Sequence, residues 1–305
     1  MKPSFLSVAT QGKNALWRYV AGLGLSLLLG WVGYQWVGVP IAGAIADLSA
    51  AWGNHLSASP PLIAGLAALT PYLTVHLAYV FLGMGLWLAV PWLHHRPSQT
   101  LISPTATVHP RRFALGFGIW WVLICCQMGW EYWSDPAGWR WNFQPLNWGV
   151  FLPLALILTP IQASTEELLF RGYLLPAAGR MVSSPGLLIL LSGFIFAIAH
   201  GQNPELDRGA LWMMLTYGWM GCFLTALTLW DRRLELALGI HSANNLFVVL
   251  MVNTDDSVLP TPALWIQQRP TDPRWSLLAM VGMTLIFWGL VWTIQRRSRS
   301  HADHS

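Results

Sequence analysis

Residues 148–178 read WGVFLPLALILTPIQASTEELLFRGYLLPAA. The stretch exceeds the roughly 20 apolar residues that a helix needs to cross the hydrocarbon core of a bilayer. It nevertheless contains Glu166, Glu167 and Arg171. Because an ionisable group in a span costs about 2.5–3.5 kcal/mol on insertion scales, the groups that persist usually face an interior cavity. The stretch therefore predicts a transmembrane helix with a polar site inside the membrane.

The rest of the chain supplies apolar stretches of similar length. The 305 residues are 54% hydrophobic and 10% charged, whereas a soluble domain carries about 25% charged residues. The other candidate spans are approximately 17–38, 71–93, 112–133, 186–200, 210–230, 235–252 and 275–295. The first is longer than a signal-peptide core of roughly 7–15 residues, so we expect it to be retained. The sequence predicts an all-α polytopic transmembrane helical bundle of about eight spans and excludes a soluble fold.

The basic residues alternate between the loops. They precede the first span, separate the second from the third and the sixth from the seventh, lie near the end of the fourth, and follow the eighth; they are Lys2, Lys13, Arg18, Arg96, Arg111, Arg112, Arg171, Arg180, Arg232, Arg233, Arg296, Arg297 and Arg299. Loops rich in Lys and Arg stay on the cytoplasmic side, so both termini are predicted to be cytoplasmic. The charge of +4 lies in short clusters without a basic stripe, which indicates a lipid bilayer and no nucleic acid as partner.

Three shorter segments fall outside this pattern. The Ser- and Pro-rich stretch 57–61 and the proline-containing segment 260–273 are predicted to be extramembrane loops. Residues 40–56 are weakly apolar and are a candidate interfacial helix. The three cysteines, Cys125, Cys126 and Cys222, lie within apolar spans and lack CxxC spacing, so they predict no metal or redox site.

The fourth span carries the first candidate site residues. Glu167 and Arg171 are spaced i, i+4 with the acid first, which favours a structural ion pair along the helix. This pairing leaves Glu166, about 100° around the helix, without a local cation. An unpaired carboxylate in a low-dielectric site readily accepts a proton, which suits a general base. The alternative is that both glutamates flank an interfacial turn.

Two further spans carry candidate residues. His200 ends the fifth span, where it is either a site residue or an interfacial histidine. His241 and Asn245 lie one turn apart on the seventh span, so both can donate hydrogen bonds towards one point; the alternative is a polar contact between helices. From the helical rise, we expect Glu166 and His200 at similar depths, with residues 201–209 completing the crossing as irregular backbone.

The three ordered patterns Glu166-Glu167-x-x-x-Arg171, Phe196-x-x-x-His200 and His241-x-x-x-Asn245 resemble the motifs of the CAAX-protease and bacteriocin-processing family. That family includes the type II prenyl-protein endopeptidases. The resemblance implies a glutamate-dependent intramembrane endopeptidase in which Glu166, helped by His200, activates water. It implies that His241 and Asn245 stabilise the oxyanion, and that Glu167 and Arg171 hold the helix in register. It also implies a site open to the cytoplasmic side, in the cell (inner) membrane.

The resemblance divides the chain into three parts. Residues 1–147 are expected to form the first three spans with their loops, 148–253 the CAAX-protease-like catalytic core, and 254–305 a loop, the last span and a basic cytoplasmic tail. The resemblance covers roughly the central part only. The outer parts match the family only in being membrane helices.

A zinc site is the alternative to the metal-independent mechanism. Glu166, His200 and His241 would be its ligands, with one position open for an activated water. The histidines lack HExxH spacing on one helix, and Asn245 has no role as a zinc ligand. We therefore expect no cofactor.

Three functions compete at this point. An endopeptidase would cleave a peptide or protein substrate at a processed C-terminal or membrane-proximal segment. A non-catalytic member of the same family would act in bacteriocin immunity or surface-protein display. A transporter could use the buried acids and histidines as a proton relay, but the inverted repeat that would favour it is not found in the sequence.

Overall fold

The computed structural model describes residues 4–55, 65 and 67–302. The loop expected at 57–61 lies outside these residues. Within them the chain is a helical membrane bundle, which confirms the predicted fold class. Its α-helices are α1 (Leu16–Val32), α2 (Val39–His55), α3 (Thr70–Ala89), α4 (Pro110–Ser134), α5 (Pro145–Glu167), α6 (Leu175–Ala178), α7 (Pro185–Ala199), α8 (Ala210–Asp231), α9 (Glu235–Leu250) and α10 (Pro273–Ala302).

Six continuous helical stretches in the described part of the chain are long and apolar enough to cross a membrane. They are Leu16–Ala51, Thr70–His94, Pro110–Ser134, Pro145–Ala178, Ala210–Asp231 and Pro273–Arg297. The spans expected at 186–200 and 235–252 form the shorter apolar helices α7 and α9. The number of crossings and the side of the termini therefore stay predictions.

Prolines and π-helical turns set where these helices begin and bend. Proline occupies the first turn of α3, α4, α5 and α7, where its missing N–H costs no helical hydrogen bond. A π-helical turn at Gly33–Gly38 joins α1 to α2, so the described part of the segment 40–56, which ends at His55, continues the first helix. A second π-helical turn, Leu168–Leu174, joins α5 to α6 directly after the two glutamates.

A small sheet closes one end of the bundle. Its strands are β1 (Trp139–Trp141), β2 (Val252–Thr254) and β3 (Trp265–Gln267), in the order β1-β3-β2. β1 runs antiparallel to β3 and β2 runs parallel to it. The strands follow α4 and α9 and precede α10, so they hold together the ends of three helices. We call this the sheet end, and the opposite end, which contains the turn at Arg232-Arg233, the basic end.

The helices that carry the motifs pack around one another. α9 lies between α4 and α5, α7 packs along α8, and α3 packs along α1 and α5. The largest core cluster includes Trp120, Phe223, Leu236 and Phe287, which come from four helices. This packing brings α3, α5, α7, α8 and α9 around a common centre.

Candidate active site

The ion pair at the end of α5 is fully buried. Arg171 Nη1 lies 2.7 Å from Glu167 Oε1, and both side chains are 0% exposed. The π-helical turn begins at Leu168, between the two partners. Turns of this kind are frequent at functional sites. The pair predicted from the i, i+4 spacing is present in the fold.

Arg171 uses its remaining donors to hold α8. Its Nε donates to Thr225 Oγ1 at 3.2 Å, and its Nη2 donates to the Gly221 carbonyl at 3.0 Å. The guanidinium also lies 4.7 Å from the centroid of the Phe196 ring on α7. A planar group with several fixed donors is suited to such a position. Arg171 therefore joins α5, α7 and α8 in one layer.

His241 on α9 contacts both glutamates. Its Nδ1 atom lies 2.8 Å from Glu167 Oε1, and its Nε2 atom lies 3.6 Å from Glu166 Oε2. An ionised carboxylate only accepts hydrogen bonds, so Nδ1 carries the proton of this contact. Nε2 is thereby directed towards Glu166. The sequence associated Glu167 with Arg171 alone and gave no signal for this second contact.

Glu166 is held from one side and unpartnered on the other. Its Oε1 accepts a hydrogen bond from Gln162 Nε2 at 2.5 Å. Its Oε2 is buried and accepts no hydrogen bond from the residues that the structure describes. The side chain is only 8% exposed. A buried carboxylate oxygen without a donor is costly unless a water or ligand group occupies the site.

Gln162 links Glu166 to the second predicted donor. Asn245 Nδ2 donates to Gln162 Oε1 at 3.0 Å, while Asn244 Nδ2 donates to Asn245 Oδ1 at 3.2 Å. The amide of Gln162 therefore has a defined orientation, with its oxygen towards Asn245 and its nitrogen towards Glu166. Sequence reasoning missed Gln162. Its spacing of four residues before Glu166 on the same helical face could have indicated it.

His200 lies where α7 ends inside the bundle. Its Nδ1 lies 2.8 Å from the Phe196 carbonyl, and its ring stacks on Tyr217 at a centroid distance of 4.4 Å. The carbonyl accepts, so Nδ1 donates and Nε2 is left free. Residues 201–209 continue as irregular backbone with a 3-10 turn at Pro204–Arg208, and Asn203 Nδ2 donates to the Tyr217 hydroxyl.

These side chains meet at a cavity of about 800 Å³. Glu166, His200 and Asn245 all line it, together with Gln162. His241 touches Glu166 from behind and is 4% exposed. On the opposite wall α3 contributes His76 and Tyr79, which the sequence analysis also missed. The phenol of Tyr79 lies beside Glu166 and Gln162. The four residues expected at the site are thus brought together from three helices.

The donor set does not assemble as a metal site. Within residues 4–55, 65 and 67–302, no group of three or more His, Cys, Asp or Glu side chains is placed to hold a metal ion. His241 is directed to Glu166 by its contact with Glu167, and His200 stacks on Tyr217. The zinc alternative therefore lacks a ligand set in the described part of the chain.

Comparisons with known proteins agree with the motifs. The model of the Rce1-like family, described as type II CAAX prenyl endopeptidase Rce1-like, matches residues 146–247. The uncharacterized protein YyaK of Bacillus subtilis (strain 168) is 33% identical over 306 residues, covering 97% of each chain. The chain belongs to the Rce1-like family. No solved structure matches it.

All three motifs of this Rce1-like chain lie within the residues that the family model matches. The match begins at the first turn of α5 and ends within α9, so it covers the helices that line the cavity except α1 and α3. The relative named above is described as uncharacterized. Its similarity therefore supports the family assignment and adds no activity to it. Membership of the Rce1-like family indicates a CAAX-type protease in a membrane.

Proposed function

We propose that this Rce1-like protein is an intramembrane endopeptidase that hydrolyses a peptide bond of a membrane-associated substrate with water activated by Glu166. One observation carries the proposal. Glu166 Oε2 is buried beside an 800 Å³ cavity, has no hydrogen-bond donor among the described residues, and lies 3.6 Å from His241 Nε2. A carboxylate in this position can take a proton from a water that the cavity admits.

His200 completes the site for that water. Its Nδ1 donates to the Phe196 carbonyl, so its Nε2 accepts one water hydrogen while Glu166 Oε2 accepts the other. The water oxygen then attacks the carbonyl carbon of the scissile peptide, and the abstracted proton passes to Glu166. Glu166 returns this proton to the leaving amine as the C–N bond breaks. Atoms and charge balance without a metal or a covalent intermediate.

The tetrahedral intermediate requires donors for its oxyanion. Asn245 uses one N–H on Gln162, which leaves the other for the substrate oxygen. His241, when protonated, adds positive charge on the same side, and Glu167 balances that charge through Nδ1. Removing one preorganised donor of this kind lowers the rate about 10²–10³-fold. The expected substrate is a peptide or protein with a processed C-terminal or membrane-proximal segment.

The substitution Glu166→Gln tests the proposal. Wild-type protein, E166Q and the control Glu131→Gln are expressed in cells that lack a native copy, and mass spectrometry compares the protein termini of the membrane fractions. Glu131 lies on α4, away from the cavity, and its carboxylate accepts hydrogen bonds from Gln127 and Gln267. A general base contributes about 10²–10⁴-fold to the rate. The amount of cleavage product should therefore fall at least about 100-fold in E166Q and stay unchanged in E131Q. Equal products in wild type and E166Q would reject the enzyme and favour the non-catalytic alternative.

A further inference from the structure

The wall of the cavity carries a second carboxylate. Besides Glu166, it includes the side chain of Glu205, which lies on the 3-10 turn Pro204–Arg208 after α7. Among the residues that the structure describes, no lysine or arginine borders the cavity. The general-base role proposed for Glu166 requires that its carboxylate is ionised. The wall therefore carries negative charge without a balancing cation, which favours a positively charged partner.

Glu205 is held through one oxygen and unpartnered through the other. Its Oε1 accepts a hydrogen bond from the backbone N–H of Val258 at 3.0 Å, which fixes the carboxylate against the loop after β2. Its Oε2 is buried and accepts no hydrogen bond from the residues that the structure describes. A buried carboxylate oxygen without a donor is costly. A group that enters the cavity is therefore expected to supply this donor.

The arginine of the same turn does not supply it. Arg208 Nε donates to Asp256 Oδ2 at 2.7 Å, and its Nη2 donates to Thr254 Oγ1 at 2.7 Å and to Asp256 Oδ1. These three contacts direct the guanidinium towards the loop after β2. No ion pair within the described part of the chain includes Glu205. The carboxylate thus lies beside a cation that is already engaged elsewhere.

Glu205 is close to the residues that hold His200. Asn203 Nδ2 donates to the Tyr217 hydroxyl at 3.1 Å, and the ring of Tyr217 stacks on His200 at a centroid distance of 4.4 Å. The carboxylate of Glu205 lies within electrostatic range of the same phenol. Glu166, His200 and Glu205 also border one continuous cavity. A peptide whose scissile bond lies at Glu166 can therefore place a neighbouring side chain against Glu205.

We propose that Glu205 is a specificity-determining residue that binds the cationic side chain of a lysine or arginine near the cleaved bond. This inference rests on the proposed function and names its substrate class, a membrane-associated segment with a basic residue beside the cleavage site. The ammonium or guanidinium donates to Glu205 Oε2, the oxygen that the protein leaves without a donor. Hydrogen bonds between ionised groups are stronger than neutral ones, and a low local dielectric strengthens them further.

Glu205→Gln tests the proposal, because it removes the charge and keeps an oxygen that can accept from Val258. Asp207→Asn is the matched control, since Asp207 lies on the same turn, is exposed and does not line the cavity. The solubilised proteins cleave quenched fluorogenic peptides of one apolar sequence that carry lysine or norleucine at a single position, which is moved along the sequence from peptide to peptide.

The readout is the ratio of kcat/KM for the best lysine peptide to that for its norleucine counterpart. A hydrogen bond to a charged group is expected to make this ratio at least about tenfold in the wild type and D207N. The ratio should fall to near one in E205Q, whose activity on the norleucine peptide should stay close to that of the wild type. A ratio near one in the wild type, or an unchanged preference for lysine in E205Q, would overturn the proposal.

A binding measurement separates this inference from the proposed function. Fluorescence anisotropy compares dye-labelled lysine and norleucine peptides on E166Q and on the double variant E166Q/E205Q. Binding of the lysine peptide that is at least about tenfold tighter on E166Q and equal to norleucine on the double variant supports the cationic subsite, even if wild type and E166Q cleave alike and the peptidase fails. Cleavage that depends on Glu166, with equal binding of both peptides, rejects the subsite and leaves the peptidase intact.

Discussion

Glu167 Oε1 lies 2.7 Å from Arg171 Nη1 and 2.8 Å from His241 Nδ1, so one carboxylate oxygen accepts from both the arginine and the histidine. The neighbouring Glu166 accepts its hydrogen bond from the neutral amide of Gln162 instead. Glu166 lines the cavity, and in both glutamates Oε2 is buried without a hydrogen-bond donor among the described residues. The two adjacent carboxylates therefore differ in environment, because Glu167 is paired with a cation through Oε1 whereas Glu166 lines the cavity.

Glu167→Gln should destabilise the protein, whereas Glu166→Gln should not. Removing one partner of a buried ion pair leaves the other charge uncompensated and costs about 3–5 kcal/mol. E166Q replaces a carboxylate that has no cationic partner at hydrogen-bond distance, since His241 Nε2 lies 3.6 Å away. Thermal unfolding in detergent compares the two variants with the wild type. Equal loss of Tm in both variants would contradict this division of roles.

Gln162→Leu should slow turnover with little loss of stability. It removes the hydrogen bond to Glu166 Oε1 and frees Asn245. A hydrogen bond to a charged group is worth about 1.5–3 kcal/mol, which corresponds to about 10- to 100-fold in rate. We expect kcat to fall by this factor, KM to change little and the pH profile to shift, because Gln162 acts by positioning two site residues. Gln162→Asn, which keeps an amide on a shorter side chain, is the matched control. An unchanged kcat and pH profile in Q162L would remove Gln162 from the site.

Arg171→Lys should not preserve the stability of the wild type, although it keeps the positive charge. Nε, Nη1 and Nη2 donate to three acceptors on two helices, and a single ammonium cannot reach all of them. R171K and R171M are both expected to lower Tm and the yield of folded protein. The Tm of R171K should lie closer to that of R171M than to that of the wild type. Arg180→Lys, a conservative change outside this layer, should be nearly neutral. Wild-type stability of R171K would show that charge alone is needed.

The ion pair between Arg208 and Asp256 should keep the loop after α7 joined to the loop after β2 over the ordinary pH range. Arg208 Nε donates to Asp256 Oδ2 at 2.7 Å, and this hydrogen bond holds the pKa of Asp256 below its usual 3.8. A lowered pKa contributes stability above the unfolded value, and that contribution is lost only as the pH falls through the lowered pKa. Product formation between pH 5 and 8 should therefore not depend on this pair's titration, as a pH series of the wild type and Asp256→Asn can measure.

Asp256→Asn itself should raise KM more than it lowers kcat, because the pair joins two loops that line the cavity and lies outside the reactive centre. The double variant Arg208→Asp/Asp256→Arg should recover part of the loss if opposite charge is what joins the loops. A fall in kcat with unchanged KM would place the effect at the chemical step instead.

A chelator should leave the activity unchanged. The described residues offer no set of three metal ligands, and the proposed step uses a carboxylate, two histidines, an amide and water. Incubation with 1,10-phenanthroline, compared with its non-chelating isomer 1,7-phenanthroline, measures metal dependence in detergent-solubilised protein. Loss of activity that zinc restores would replace the water-activation step with metal chemistry.

The positions of the helices and the identity of the motif residues could be read from the amino-acid sequence. Hydropathy locates a span because bilayer thickness sets the length of a helix, and the pairing of Glu167 with Arg171 follows from local helical geometry. The family could be recognised because its three motifs each lie within a few residues along the chain.

The contacts between helices could not be read in the same way. Three of these contacts join residues that are far apart in the chain. Glu167 orients His241, Gln162 accepts a hydrogen bond from Asn245, and Tyr79 supplies part of the cavity wall. They depend on how side chains of several helices pack laterally and in depth, which no local pattern encodes. The same packing sets which helices and loops border the cavity beside Glu166, and so only the tertiary structure decides what can reach this carboxylate.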